Sequence, residues 1–143
     1  MPDRPVGVLV MAYGTPASPD DVEAYYTDIR RGRPPTPELL ADLERRYDAI
    51  GGISPLAERT RAQACGIGSC LGEGFVVALG QKHAAPFIED GVATLLAAGA
   101  EQVVGLVLAP HFSALSVGQY HQRAAAATTS SGTPYAGIER WHL

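Results

Sequence analysis

The residues of this chain best suited to chemistry stand where its apolar runs break off. In GVLVMAYGTP the run Val8-Leu9-Val10-Met11-Ala12 stops at Tyr13-Gly14-Thr15-Pro16. A phenol at a strand end can hydrogen-bond, stack on a flat ligand or ligate a metal, and it can equally cap the core. The glycine behind it does not build a phosphate loop. AYGTPASPDD lacks both the G-x-G-x-x-G spacing and the P-loop lysine, and its acids repel phosphate. A second group is RRGRPPTP, from Arg30 to Pro37, a basic loop stiffened by prolines. Arginines on such a loop can bind carboxylates two-pronged at little entropic cost, or simply be solvated. RRYDAIGGISPL then brings Arg45 and Arg46 to a Gly-Gly turn and a Ser-Pro helix start, where Ser54 and helix-start N–H groups can hold a further carboxylate.

Other constellations carry less. His111 with Ser113 and Ser116 invites a hydrolase reading, but there is no G-x-S-x-G elbow. His83, His111, His121 and His142 are scattered with no H-x-x-x-H pair, so spacing assigns no metal site and reads each as structural or surface. Cys65 and Cys70 lie five apart, on different faces of a helix, and match no zinc motif. They read as reduced, partly buried thiols of a cytoplasmic protein.

The elements that must position these residues are legible. The chain has 143 residues, enough for one domain with a real core. Apolar residues make up 46% and charged residues 18%, which argues against disorder. The net charge is -4, and from Asp28 to Arg61 seven arginines meet six acids, so no basic footprint for nucleic acid exists. No run is long enough to span a membrane, and MPDRPVGVLV lacks the pattern of a signal peptide.

Strand-like runs are expected at Val6–Ala12, Phe75–Gly80, Val103–Ala109 and, weakly, Gly137–Trp141, continuous enough to suit strands buried on both faces. Ser18, Thr36 and Ser54 read as helix caps followed by proline, and APFIED at Ala85 as a start with Pro86 at the first helical position. Helices are expected over Pro37–Ile50, Pro55–Leu71 and Pro86–Ala98, the first and last stopped by Gly51-Gly52 and Gly99. Gly66 and Gly68 weaken the middle one. Leu39, Leu43, Tyr47 and Ile50 share a helical face, as do Ile88, Val92, Leu95 and Leu96. TTSSGTPYAG, from Thr128 to Gly137, reads as a loop. This alternation predicts an α/β doubly wound domain with a mainly parallel four-stranded sheet. Ligands then bind beyond the carboxyl ends of the strands, which puts AYGTP and APHFSALSVGQY on the functional rim. Composition and spacing point to a flat anionic ligand there without naming it.

Taken as a set, GVLVMAYGTP, YYTDIRRGRPPTPELLADLERRYDAIGGISPLAERT, LGQKHAAPFIEDGV and GLVLAPHFSALSVGQY resemble the N-terminal half of the ferrochelatases, closest to the coproporphyrin III ferrochelatases of Gram-positive and actinobacterial type. The resemblance runs from about Val6 to Tyr120 and continues weakly to Trp141. It implies a chelatase-like, Rossmann-like fold, one of two similar halves with a porphyrin cleft between them, and insertion of ferrous iron into a porphyrin in haem synthesis. It also implies that Tyr13 faces the porphyrin close to the metal, as an axial group. By the same resemblance Arg30, Ser54 and Tyr120 match positions that hold propionates, and Arg31 and Arg46 a nearby basic cluster. Such an enzyme bends the macrocycle, using binding energy from the remote carboxylates, and needs a base within reach of the N–H protons.

The resemblance also marks a departure. The family's principal catalytic histidine, in an HS motif, and its partnering glutamate match no residue up to Leu143. The expectation is therefore a partial sequence with no principal catalytic residue, inactive unless the second half is supplied. It needs no resident cofactor, since iron is a substrate. Some relatives carry an iron–sulfur cluster, to which Cys65 and Cys70 are not assigned. Two other readings stay open: a half-domain that holds porphyrin or haem without metallating it, and a short chelatase that pairs with itself.

Overall fold

In the computed structural model, which describes residues 4–109 and 111–142, the first apolar run is the centre of the molecule. Val6–Ala12 forms β1, with Leu9, Val10 and Met11 fully shielded from solvent. β2 (Phe75–Gln81) and β3 (Gln102–Val107) pair with it on either side, and β4 (Tyr135–Ile138) pairs with β3. All pairings are parallel, and the order is β2-β1-β3-β4. The strand order reverses between β1 and β3. The crevice at their carboxyl ends is the place where a doubly wound sheet takes its ligand. Tyr13 stands at that end of β1.

Among the described residues five α-helices link the strands: α1 (Val22–Ile29), α2 (Pro37–Ala49), α3 (Leu56–Leu71), α4 (Ile88–Ala97) and α5 (Val117–Thr129). α4 packs across β2 and β1, α5 across β3 and β4, and the two touch each other. Side chains alternate between the faces of a strand. Leu9, Met11, Val103 and Val107 thus meet Ile88, Val92, Leu95, Val117 and Ala124 in one sealed core. On the other face α3 lies against β2, where Gly68 brings the helix to Val77, and Val8 and Val10 of β1 are buried as well. Val104 and Leu106 stay half-buried there and Ile138 is exposed, so the expected burial on both faces holds for β1 but not for β3 and β4. Among the described residues no helix is long and apolar enough to cross a membrane.

The starts and stops explain the boundaries. Thr36 caps α2 as expected, its Oγ1 accepting the Leu39 N–H at 3.3 Å. Gly51 and Gly52 adopt φ of +97° and +96°, and the Gly52 N–H returns to the Tyr47 carbonyl at 2.8 Å, so the chain leaves α2 through a left-handed turn open to glycine. Ser18 does not cap a helix N–H. Its hydroxyl donates to Asp21 at 2.9 Å across a single 3-10 turn (Pro19–Asp21), and α1 begins after it. Pro86 is not the first residue of α4. Its carbonyl accepts the Gln81 N–H at 2.7 Å, which carries extended chain past β2, and the helix starts only at Ile88, where the Asp90 carboxylate takes the Phe87 N–H at 2.8 Å. The fourth strand comes two residues earlier than expected, inside the stretch read as a loop, because the Pro134 carbonyl accepts the Val103 N–H at 2.9 Å and opens the ladder. Trp141 lies beyond that strand, its indole N–H donating to the Val107 carbonyl at 2.9 Å. α3 runs unbroken through Gly66 and Gly68.

Candidate functional site

The rim reading starts from Tyr13. Its ring is 45% exposed, too open for a core cap. It lines a recess of about 310 Å³ together with Tyr25 of α1, Leu43, Arg46 and Tyr47 of α2, Ile50 beyond it, and Ser54 and Leu56 at the start of α3. A second recess of about 480 Å³ shares Ile50 and Ser54 as a common wall and continues past Pro16 towards Arg61. The wall is therefore apolar and aromatic, with a hydroxyl and a guanidinium on its edge. That chemistry suits a flat hydrophobic ligand carrying acidic groups.

The α1–α2 segment builds this wall because its apolar stripe has nothing else to cover. α2 buries no residue at all, and Leu39 and Ile50 remain exposed at 40% and 57%. The Tyr25 and Tyr47 hydroxyls are hydrogen-bonded, and burial first, then the Tyr47 and Tyr13 phenols, push the Tyr25 hydroxyl well above its ordinary pKa. Tyr25 is thus a neutral donor at any working pH.

The arginines divide into two kinds. Arg46 pairs with Asp42 at 2.8 Å, and Arg45 with the same carboxylate at 3.0 Å. Arg30 and Arg31 have no carboxylate partner among the described residues. Arg30 lies over the Tyr26 ring at 5.8 Å, and its Nε donates to the Arg33 carbonyl at 3.3 Å. Arg31 holds a left-handed φ of 58°, its N–H returning to the Asp28 carbonyl at 3.0 Å. The loop thus presents two uncompensated cations, as a carboxylate site requires. Ser54 accepts the Leu56 N–H at 3.2 Å from two residues before α3, whose cap position falls to Pro55, and its own proton stays available to a ligand oxygen.

Tyr120 is placed differently from the rest. It sits in α5 at 4% exposure, part of the main core. The Lys82 ammonium stands 5.3 Å from its ring centroid and donates to Gln119 at 2.6 Å. Burial, and then the Tyr13 phenol, push the Tyr120 hydroxyl up to about 12. Burial, with Arg123 and Arg31 nearby, lowers the Lys82 pKa. Tyr13, Ser54 and Arg46 line one recess, while Arg30, Arg31 and Tyr120 do not contribute to its walls.

Sequence reasoning passed over Tyr25 and the Lys82-His83 pair. His83 meets Tyr13 edge-on, with ring centroids 4.6 Å apart. The available signal was LGQKH, which ends the strand next to β1 and so must reach the same rim. The hydrolase constellation does not assemble: His111 lies against His142, with ring centroids 4.4 Å apart, and bonds to neither serine. His121 is structural, its Nδ1 sharing a proton with the Tyr135 hydroxyl at 2.6 Å and its Nε2 bonded to the Ile138 carbonyl at 3.0 Å. Cys65 and Cys70 are free but exposed, not partly buried, because the outer side of α3 faces solvent. Among the described residues no group of three or more His, Cys, Asp or Glu side chains is arranged to hold a metal ion.

Comparison with known proteins matches the same segments. The family model described as Ferrochelatase matches residues 5–143. A coproporphyrin III ferrochelatase of Listeria monocytogenes serotype 4b is 48% identical over 145 residues, covering 97% of this chain and 47% of the relative. The coproporphyrin III ferrochelatase of Bacillus subtilis is 48% identical, covering 99% and 48%. Coproporphyrin III ferrochelatase 2 of Bacillus cereus is 49% identical, covering 99% and 46%. The chain spans about half the length of these relatives.

Proposed function

The chain belongs to the ferrochelatase family, and from that premise we propose that it is the N-terminal part of an enzyme that inserts ferrous iron into coproporphyrin III to give coproheme. The single observation that carries the reading is the open recess in which Tyr13, Tyr47, Leu43, Ile50 and Ser54 form one continuous wall at the carboxyl end of β1. Such a wall matches the face of a tetrapyrrole, which is flat and apolar with carboxylates at its edge.

In this reading each residue has a bounded task. Arg30 and Arg31 receive propionates as uncompensated cations, and Ser54 adds a hydroxyl donor. Arg46, already shared with Asp42, lends positive charge at the edge. Tyr120 contributes through its hydroxyl, which makes no hydrogen bond within the described residues. Tyr13 would face the side from which the iron enters and could offer its phenol oxygen to it. Together these groups bind and orient the ring and keep water from one face of it. Binding energy gathered at the carboxylates is what can hold a ring out of plane. The proton acceptor matches no residue of this chain, so metallation requires the second half-domain. No resident cofactor enters the reading, since ferrous iron is a substrate. The free thiols of Cys65 and Cys70 suit a reducing cytoplasmic setting.

The test is anaerobic titration of the chain with coproporphyrin III, then with ferrous iron, following the porphyrin absorption bands. Binding without metallation is expected. Metallation above the uncatalysed rate would mean that the chain assembles a site with a second copy of itself. Absence of binding would remove the cleft assignment altogether. Arg30→Ala should weaken porphyrin binding by about 1–3 kcal/mol, the range for a charge-assisted contact. An unchanged affinity would take Arg30 out of the site.

A further inference from the structure

Tyr13 is the one aromatic of the recess whose orientation has no obvious origin. Its hydroxyl makes no hydrogen bond among the described residues, and its ring is nearly half exposed at 45%. A side chain in that position is free to sample more than one χ1 well unless a neighbour excludes the others. The neighbour is His83. The backbone sets the two side by side, because the His83 N–H donates to the Tyr13 carbonyl at 3.0 Å and the Lys82 N–H to the Ala12 carbonyl at 2.9 Å, extending the β1–β2 ladder beyond both strands. Gly14 presses this segment closer still: at φ +92° it lies where a Cβ would stand 3.0 Å from the Ala84 Cβ. The imidazole then meets the phenol ring at an interplanar angle of 65°, with 4.6 Å between centroids.

His83 is itself held. Its side chain is only 13% exposed, and its Nδ1 lies 2.7 Å from the Asp28 carboxylate of α1. A carboxylate only accepts, so Nδ1 carries the proton and the ring plane is set. Asp28 also reaches the basic loop, since its backbone carbonyl accepts the Arg31 N–H at 3.0 Å. One residue therefore joins the arginine loop, through His83, to the phenol.

We propose that Asp28 and His83 form a positioning pair that fixes the Tyr13 phenol over the metal face of the cleft and ties its placement to the arginine loop. Neither residue needs to touch porphyrin or iron. The inference rests on the porphyrin-cleft reading above and deepens it.

The experiment adds ferric coproporphyrin III to the chain and reads the phenolate-to-iron charge-transfer band by absorption and resonance Raman. Metal-free coproporphyrin affinity is measured in parallel by fluorescence quenching, and thermal melting confirms that each variant folds. Tyr13→Phe should abolish the band. Asp28→Ala and His83→Ala should each weaken it about threefold or more while metal-free affinity stays within about twofold. Asp28→Asn should keep most of the band, because its amide oxygen still accepts the Nδ1 proton. A full-strength band in Asp28→Ala and His83→Ala would overturn the proposal, as would equal loss in Asp28→Asn and Asp28→Ala. If the unmodified chain binds ferric coproporphyrin with no such band, Tyr13 is not an axial group and this inference falls while the cleft stands. If it binds no porphyrin at all, the cleft reading itself fails.

Discussion

α2 and α4 carry the same kind of apolar stripe and meet opposite fates. Ile88, Val92 and Leu95 of α4 lie against the sheet at no more than 2% exposure. Leu39, Leu43 and Tyr47 continue into Ile50 with the same helical spacing, yet α2 buries nothing. Periodicity says which face of a helix is apolar; it does not say what covers that face. In α4 the cover is β1 and β2. In α2 the stripe looks across an open recess towards Tyr13 and Ser54, with the Asp42-paired Arg46 on its edge. An apolar face left open at the switch point of a parallel sheet is the kind of surface on which the porphyrin-cleft proposal rests. The two helices thus differ in whether a packed layer covers the apolar stripe.

The sharpest way to break this comparison is to truncate one residue on the folding side. Leu9 is fully buried between α4 and the sheet. Leu9→Ala should destabilise the chain by about 2–5 kcal/mol, the range for opening a cavity in a packed core. Urea unfolding followed by circular dichroism measures it. A loss below about 1 kcal/mol would mean that the α4 layer is not the main core, and the contrast with α2 would collapse.

How far the sequence carries follows the same division. β1 was legible to the residue, because Val6–Ala12 is an unbroken apolar run bounded by Gly14 and Pro16, and Thr36 announced α2 through a cap that is local in the chain. The start of α4 was not, because the bonds that delay it run from Pro86 back to Gln81 and depend on where β2 ends. β4 was misjudged for a like reason: Tyr135 and Gly137 read as turn residues, but the Tyr135 phenol fits in the space Gly105 leaves beside it and bonds to His121. At the site, Tyr13, Arg30 and Ser54 could be picked out by type and position. His83 could not, since its meaning comes from Asp28, 55 residues earlier in the chain. Tyr120 carries a propionate role by resemblance alone, and its ring is buried in the core at 4% exposure while its hydroxyl senses the Tyr13 phenol.

On the binding side the expected effect on stability is small and the effect on ligand large. Ile50 is 57% exposed at the end of α2 and belongs to both recesses. Ile50→Ser should leave stability within about 0.5 kcal/mol, as for other surface changes. It should weaken coproporphyrin binding by about 1 kcal/mol, the transfer value of a partly buried aliphatic side chain. Melting and fluorescence titration on the same variant decide the matter. A destabilised chain with unchanged affinity would show that the α2 stripe serves the fold after all.

The smallest effect comes from the polar edge of the folded layer. Arg123 of α5 grips Glu89 of α4 at 2.6 Å and 3.0 Å and also donates to the Lys82 carbonyl at 2.7 Å, so one guanidinium links both helices to the end of β2. Its hydrogen bonds hold the Glu89 carboxyl below the usual range against an opposing cost of burial. A depressed folded pKa contributes stability that is full above the unfolded value and is lost as the pH falls through the folded one. Glu89 is half exposed at 51%, so solvent and salt screen the pair and its contribution stays at about 1 kcal/mol or less. Glu89→Gln should therefore melt slightly below the unmodified chain at neutral pH. That gap should shrink as the pH is lowered through the carboxylate range and narrow further in salt. A gap that ignores both would assign the effect to packing of the side-chain stem, and the α4–α5 layer would then owe its cohesion to apolar contact alone. Arg45 and Arg46 offer the internal contrast, since their partner Asp42 lies in the same helix. Neutralising Asp42 should change stability by only a few tenths of a kcal/mol, as for any exposed pair within one helix, because that pair joins α2 to nothing.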